Sequence, residues 1–67
     1  MAIYYISVWQ AAPNQSQLVW EANVLAPSIE EGDRIGRTRF AIEHPELDVK
    51  DFTVIATGDN VEKSITV

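Results

Sequence analysis

Four stretches of the chain have the residue types and the period-two pattern of β-strands. Residues 3–10 (IYYISVWQ) are apolar on both alternating sets of positions, which is typical of a central strand. Residues 18–26 (LVWEANVLA) have one more polar set, as expected at a sheet edge. Residues 52–57 (FTVIAT) predict a third strand, and a turn at 58–60 leads into 61–67 (VEKSITV), which predicts a fourth.

Between the second and third strands, the sequence predicts a helix with well-marked ends. Ser28 is placed to be the N-cap, and Glu31, three residues later, completes a capping box. His44 precedes Pro45, and a residue before proline is disfavoured in helical geometry. The helix is therefore expected from about Ile29 to Glu43.

One arc of this helix is apolar and contains two glycines. Its members are Ile29, Gly32, Ile35, Gly36, Phe40 and Ile42. A glycine inside a helix costs about 0.8–1 kcal/mol relative to alanine, so close packing must compensate. We expect the glycines to let the helix approach a large aromatic residue of the sheet, Trp9, Trp20 or Tyr5. The alternative is a glycine-lined helix dimer of the kind found in membranes.

The three arginines of the helix differ in their surroundings. Arg34 and Arg37 each follow an acidic residue at the i−4 position and are expected to pair with it. The two expected pairs are Glu30/Arg34 and Asp33/Arg37. Arg39 lies within the apolar arc, and its one helical neighbour of opposite charge is Glu43. Arg39 is therefore expected either to extend along the sheet edge or to contact a partner.

Together these elements predict one α+β domain over residues 1–67, with ββαββ order and an antiparallel four-stranded sheet in the order 2-1-3-4. One helix can cover only one sheet face. The other face is expected to expose apolar side chains, drawn from Tyr4, Ile6, Val8, Val19, Leu25 and Ile55. Such a patch indicates association, so a homodimer or higher oligomer is expected.

The charge is concentrated near the end of the sequence. Residues 1–27, 28–42 and 43–67 carry net charges of −1, 0 and −4, which sum to −5. This balance disfavours binding to duplex nucleic acid and favours a protein partner with a basic surface. The expected docking patch is acidic and comprises Glu43, Glu46, Asp48 and Asp51. The absence of cysteine fits a reducing cytoplasmic location, and no stretch suits a signal peptide or a membrane span.

The sequence lacks a recognisable catalytic, metal-binding or nucleotide-binding motif, so we expect neither enzymatic activity nor a cofactor. His44 is the only histidine. Its position before Pro45 predicts a helix C-cap rather than a general base. The alternating acids near Asp48 lack the glycine of a calcium loop. Gly32 and Gly36 lie inside the helix, where their amides cannot cradle a phosphate.

The order of hairpin, capped helix and further strands, with SIEEGDRIGRTRF between the two strand regions, resembles small phage-encoded anti-defence proteins of the anti-CRISPR type. It is also similar to compact antitoxin half-domains with the same hairpin–helix start. The resemblance covers topology and carries no functional residue across. It implies a small, acidic, non-catalytic protein that works by occupying a surface.

Two hypotheses of function follow. In the first, the chain is an interaction module, such as a phage-type inhibitor or regulator, whose acidic patch docks on a nucleic-acid-handling host protein. In the second, it is a homo-oligomeric sponge for a small anionic ligand such as a nucleotide, held by Arg37 or Arg39 and stacked on Trp9, Trp20 or Tyr5.

Overall fold

The structure is a computed structural model, and it describes residues 1–58. Strands β1 (Ala2–Gln10) and β2 (Gln17–Ala26) form an antiparallel hairpin, and helix α1 (Ile29–Glu43) follows. A turn of 3₁₀ helix (Val49–Asp51) leads into strand β3 (Thr53–Gly58), which pairs antiparallel with β1. The chain is therefore α+β, with one helix packed on one sheet.

The sheet order confirms the arrangement of the first three strands. In the described residues the sheet has three strands in the order β2-β1-β3 rather than four. The predicted fourth strand, 61–67, lies outside the described residues. β1 is central because it pairs along both edges, which fits its apolar residues on both faces. The 3₁₀ turn at Val49–Asp51 was not predicted.

Helix α1 covers the face of β1 that carries Tyr4, Ile6 and Val8. Ile6 and Val8 are fully buried there together with Phe40 of the helix. The expectation that Tyr4, Ile6 and Val8 would lie on the uncovered face is therefore wrong. The strand register explains why the helix covers this face, because the residues paired with Tyr4, Ile6 and Val8 are mostly apolar and small. They are Val24, Ala22 and Trp20 on β2, and Gly58, Ala56 and Val54 on β3.

The glycines of α1 let the helix lie close to the sheet, but the sheet residues that they contact differ from those expected. A Cβ placed on Gly36 would lie 2.5 Å from Cγ2 of Ile6, and one on Gly32 would lie 3.2 Å from Cδ2 of Tyr4. The expected aromatic contact is thus formed by Tyr4, while Trp9 and Tyr5 lie on the other face of the sheet. Ile42, predicted to face the sheet, is 71% exposed.

The helix ends lie at the predicted residues. Ser28 is extended, and its Oγ accepts a hydrogen bond of 3.2 Å from the Glu31 amide. The His44 amide closes the last turn by donating to the Phe40 carbonyl over 2.8 Å. The Glu31 carboxylate instead binds Arg34, so only the Ser28 half of the predicted capping box is seen.

An irregularity in the hairpin changes which residues share a face. Val8 pairs with Trp20, but Trp9 pairs with Leu18, so Val19 is an extra residue on β2. Leu18 therefore shares the face of Trp9, although simple alternation placed it with Trp20. Trp9 and Trp20 therefore lie on opposite faces of the sheet.

Candidate functional site: an open sheet face beside an acidic loop

The side of the sheet turned away from α1 is here called the open face. The strand pairing places these residues on it: Ile3, Tyr5, Ser7 and Trp9 of β1, Leu18, Glu21, Asn23 and Leu25 of β2, and Thr53, Ile55 and Thr57 of β3. Its aliphatic residues are well exposed, with Ile3 at 62%, Leu25 at 60% and Ile55 at 45%. The exposure expected of Leu25 and Ile55 is confirmed.

Hydrogen bonds organise the centre of the open face. The Tyr5 hydroxyl donates to Oε1 of Glu21 on the neighbouring strand. The indole Nε1–H of Trp9 donates to Ser7 Oγ over 2.9 Å, so the indole lies back along its own strand. Ser7 is only 4% exposed as a result, although it lies on a face that the helix does not cover.

Glu21 perturbs the titration of its neighbour. The hydrogen bond from the Tyr5 hydroxyl to Glu21 raises the pKa of Tyr5 above its ordinary value, with burial and the nearby negative charge acting in the same direction. The neutral phenol is thus the form that this pair stabilises. The sequence offered one signal for the pair, because Glu21 is the only charged residue within residues 1–27.

The predicted acidic patch forms an exposed surface that begins at Glu43, the last residue of α1, and is here called the acidic loop, residues 43–51. Its four acids are all exposed: Glu43, Glu46, Asp48 and Asp51. Three of them also make local contacts. Glu43 accepts from Trp20 Nε1 at 2.9 Å, Glu46 lies 3.4 Å from Nδ1 of His44, and Asp48 caps the 3₁₀ turn by accepting from the Lys50 amide at 3.0 Å.

The acidic loop and the open face meet at one end of the sheet. Trp9, near the end of β1, pairs with Thr53 at the start of β3. Asp51 precedes Thr53 by only two residues. The end of the acidic loop therefore leads directly into the strand that carries Thr53 and Ile55 of the open face.

Of the four residues of the alternative ligand site, the structure brings only Trp20 and Arg39 to a common neighbour. Trp9 lies on the open face, whereas Trp20 packs against Phe40 on the helix side, with ring centroids 5.7 Å apart. Arg37 pairs with Asp33 at 2.9 Å, as predicted. Arg39 is about half exposed and lies 3.9 Å from Glu43, the carboxylate that also binds Trp20. Trp20 and Arg39 thus both lie beside the carboxylate of Glu43.

Arg34 pairs with a different acid from the one predicted. Its Nη2 lies 2.7 Å from Oε2 of Glu31, three residues earlier, rather than with Glu30 four residues earlier. Residues spaced by three or four positions are both neighbours on a helix surface, so sequence spacing does not decide between them. This contact lowers the pKa of Glu31, chiefly through the hydrogen bond from Arg34.

His44 occupies the predicted C-cap of α1. Its ring packs against Phe40, with centroids 5.4 Å apart, which is a structural role. Within residues 1–58, no cluster of histidine and acidic side chains has the arrangement needed to hold a metal ion. No helix in that range is long and apolar enough to cross a membrane.

Comparisons of this chain with protein-family models, with curated proteins and with solved structures found no match.

Proposed function

We propose that this chain is a small, acidic, non-catalytic protein-interaction module. The observation that carries the proposal is the open face, where Ile3 and Leu25 remain about 60% exposed side by side across the hairpin. Large apolar side chains grouped in this way mark interaction surfaces more often than isolated exposed residues do. A protein partner that covered the open face would bury these side chains.

Charge supports a basic partner. The chain carries a net charge of −5, and the acidic loop contributes four acids against Lys50 within nine residues. A surface that handles nucleic acid has the complementary charge, and opposite charges speed association and make it sensitive to salt. We propose that the module occupies such a surface in the cytoplasm and thereby acts as a phage-type inhibitor or regulator.

Self-association is the second use that the open face supports. Two copies could bury Ile3, Leu25 and Ile55 against each other as a homodimer or higher oligomer. The net charge of −5 on each copy opposes this arrangement, so a basic partner has the stronger support. Native mass measurement at micromolar concentration separates the two, because a homodimer has twice the 7.5 kDa mass of one chain.

The anionic-ligand function has less support. It needs arginines free to bind an anion beside an aromatic ring, whereas Arg37 is paired with Asp33 and Arg39 lies near Glu43. A substitution Arg39→Ala that abolished partner or nucleotide binding while leaving the fold intact would restore this alternative.

The test of the proposal compares two charge reversals at opposite ends of α1. Tagged wild type, Glu46→Lys and Glu30→Lys are used to capture proteins from a host-cell lysate, and the captured proteins are quantified by mass spectrometry at low and high salt. Both variants change the net charge equally, and both side chains are exposed. We expect Glu46→Lys to lose a basic, nucleic-acid-handling protein that Glu30→Lys retains, and high salt to weaken its capture.

If Glu46→Lys and Glu30→Lys lose the captured protein equally, the interaction is general charge attraction and not docking on the acidic loop. Unchanged capture with both would exclude the acidic loop as the docking surface. Circular dichroism of each variant serves as the folding control, because exposed charges contribute little to stability.

A further inference from the structure

Tyr5, Trp9 and Glu21 lie around Ser7 at the centre of the open face. Glu21 is directly opposite Ser7 in the β1–β2 pairing, and opposed residues in a sheet have Cβ atoms about 4.5–5.5 Å apart. The Trp9 indole reaches Ser7 from one side along the strand, and Tyr5 precedes Ser7 by two residues on the same face. Tyr5 thus binds the Glu21 carboxylate directly, and Trp9 binds Ser7, the residue opposite Glu21.

The indole is held in a fixed orientation. The indole Nε1–H of Trp9 donates a hydrogen bond to Ser7 Oγ over 2.9 Å. Ser7 itself is only 4% exposed. Trp9 nevertheless remains partly exposed, so part of the ring is accessible to a partner. Aromatic faces attract cations within about 6 Å of the ring centroid, and tryptophan attracts them best.

We infer that Tyr5, Trp9 and Glu21 form a recognition site for an arginine side chain of a protein partner. The guanidinium would stack on the Trp9 ring while its N–H groups donate to the Glu21 carboxylate, which already orients one oxygen toward Tyr5. Arginine suits this site better than lysine because its planar group stacks and hydrogen-bonds at the same time.

Charge complementarity selects this occupant. Glu21 is the only charged side chain among the described residues of the open face. A second copy would bring another Glu21 to the same face, whereas a basic chain would bring the opposite charge. The inference rests on the proposed function, because it names how the basic partner contacts the sheet in addition to the acidic loop.

The probe is a triarginine peptide capped at both ends, with trilysine and tricitrulline peptides of the same length. Binding is followed by the indole N–H signals of ¹⁵N-labelled protein. Trp9 lies on the open face, whereas the Trp20 indole donates to Glu43 of the acidic loop, so the two indole signals report separately on the two surfaces. We expect triarginine to shift the Trp9 signal, trilysine to bind more weakly, and the neutral citrulline peptide to leave the signal unchanged.

The matched variants are Glu21→Gln and Glu30→Gln. Each removes one negative charge, and glutamine at position 21 can still accept the hydrogen bond from Tyr5. Glu30 is exposed at the start of α1, outside the acidic loop. We expect Glu21→Gln to weaken triarginine binding about five-fold and Glu30→Gln to change it less than two-fold. Trp9→Phe, which keeps an aromatic ring with a weaker π face, should also weaken binding, and circular dichroism reports whether each variant is folded.

Equal weakening by Glu21→Gln and Glu30→Gln, or a Trp9 signal that triarginine leaves unmoved, would overturn the arginine site. A Trp9 signal that moves with protein concentration alone, with a particle of twice the chain mass, would assign the face to a second copy. Capture from lysate that survives Glu21→Gln but is lost in Glu46→Lys would reject the arginine site and leave the proposed function standing.

Discussion

Gly36 of the helix lies directly against Ile6 of the central strand. A Cβ built on Gly36 would approach Cγ2, Cγ1 and Cβ of Ile6 to 2.5, 2.8 and 3.0 Å. Ile6 is fully buried, and these atoms lie near its backbone, so the side chain cannot swing aside. The contact fixes the distance between helix and sheet, and with it the face that remains open.

Replacing Gly36 by alanine should therefore destabilise the protein, although alanine favours helices. We expect a net loss of about 1–2 kcal/mol, because overpacking costs about 1–3 kcal/mol and the better helix propensity recovers up to about 1 kcal/mol. Urea unfolding followed by circular dichroism measures the loss. Gly32→Ala is the control, since its nearest atoms in Tyr4 lie at 3.2–3.3 Å and need move only slightly. A Gly36→Ala variant more stable than wild type would contradict this packing.

Phe40 should be the most sensitive aromatic residue of the core. It is fully buried and lies 5.7 Å from Trp20 and 5.5 Å from Phe52, both measured between ring centroids. We expect Phe40→Ala to cost about 3–5 kcal/mol, which approaches the whole stability of a domain this small. Phe40→Leu should remain measurable by thermal unfolding. Ile42→Ala, at a side chain that is 71% exposed, should change stability by less than about 0.5 kcal/mol.

Within the acidic loop, Asp48 and Asp51 should respond differently to alanine substitution. Asp48 accepts the Lys50 amide and caps the 3₁₀ turn, so Asp48→Ala should cost about 0.5–2 kcal/mol. Asp51 is exposed within the turn, and Asp51→Ala should be nearly neutral. Thermal unfolding midpoints compare the two variants at equal net charge. Equal midpoints would show that the cap contributes nothing to folding.

The pair of Tyr5 and Glu21 predicts a stability change at alkaline pH. The hydrogen bond to Glu21 raises the pKa of Tyr5 in the folded chain. The folded state thus holds this proton more tightly than the unfolded state. The resulting stabilisation is complete below the unfolded pKa of about 10 and is lost as the pH rises through the folded value.

Tyrosinate absorbance in a Tyr4→Phe background, where Tyr5 is the one remaining tyrosine, measures this pKa directly. We expect Glu21→Ala, which removes the acceptor, to lower it toward the ordinary value and Glu43→Ala to leave it unchanged. A Tyr5 that titrates at the same pH in wild type and Glu21→Ala would exclude the hydrogen bond in solution.

The resemblance to phage anti-defence proteins stays a prediction, and so do the partner, the acidic docking patch and the alternative ligand residues. The structure locates those residues without testing their roles. What it changes is their grouping, because Trp9 now belongs with Tyr5 and Glu21 on the open face, while Trp20 belongs with Phe40 and Glu43.

The sequence alone determined the features that depend on neighbouring residues. Helix α1 begins and ends where Ser28 and Pro45 predict, because capping and the steric effect of proline act within one turn. The order β2-β1-β3 also followed from local patterns, since β1 is apolar on both faces and a short loop pairs it with β2.

Only the tertiary structure decided which face of β1 the helix covers. Both sets of alternating residues in β1 are apolar, so the choice depends on what β2 and β3 add to each face. Their register places Ala22 and Ala56 beside Ile6, but Glu21 beside Ser7. The extra residue Val19 then shifts Leu18 to the side of Trp9. Strand register is set by the hydrophobic pattern and by the turn between strands, and the pattern of β1 does not decide between its faces because both are apolar.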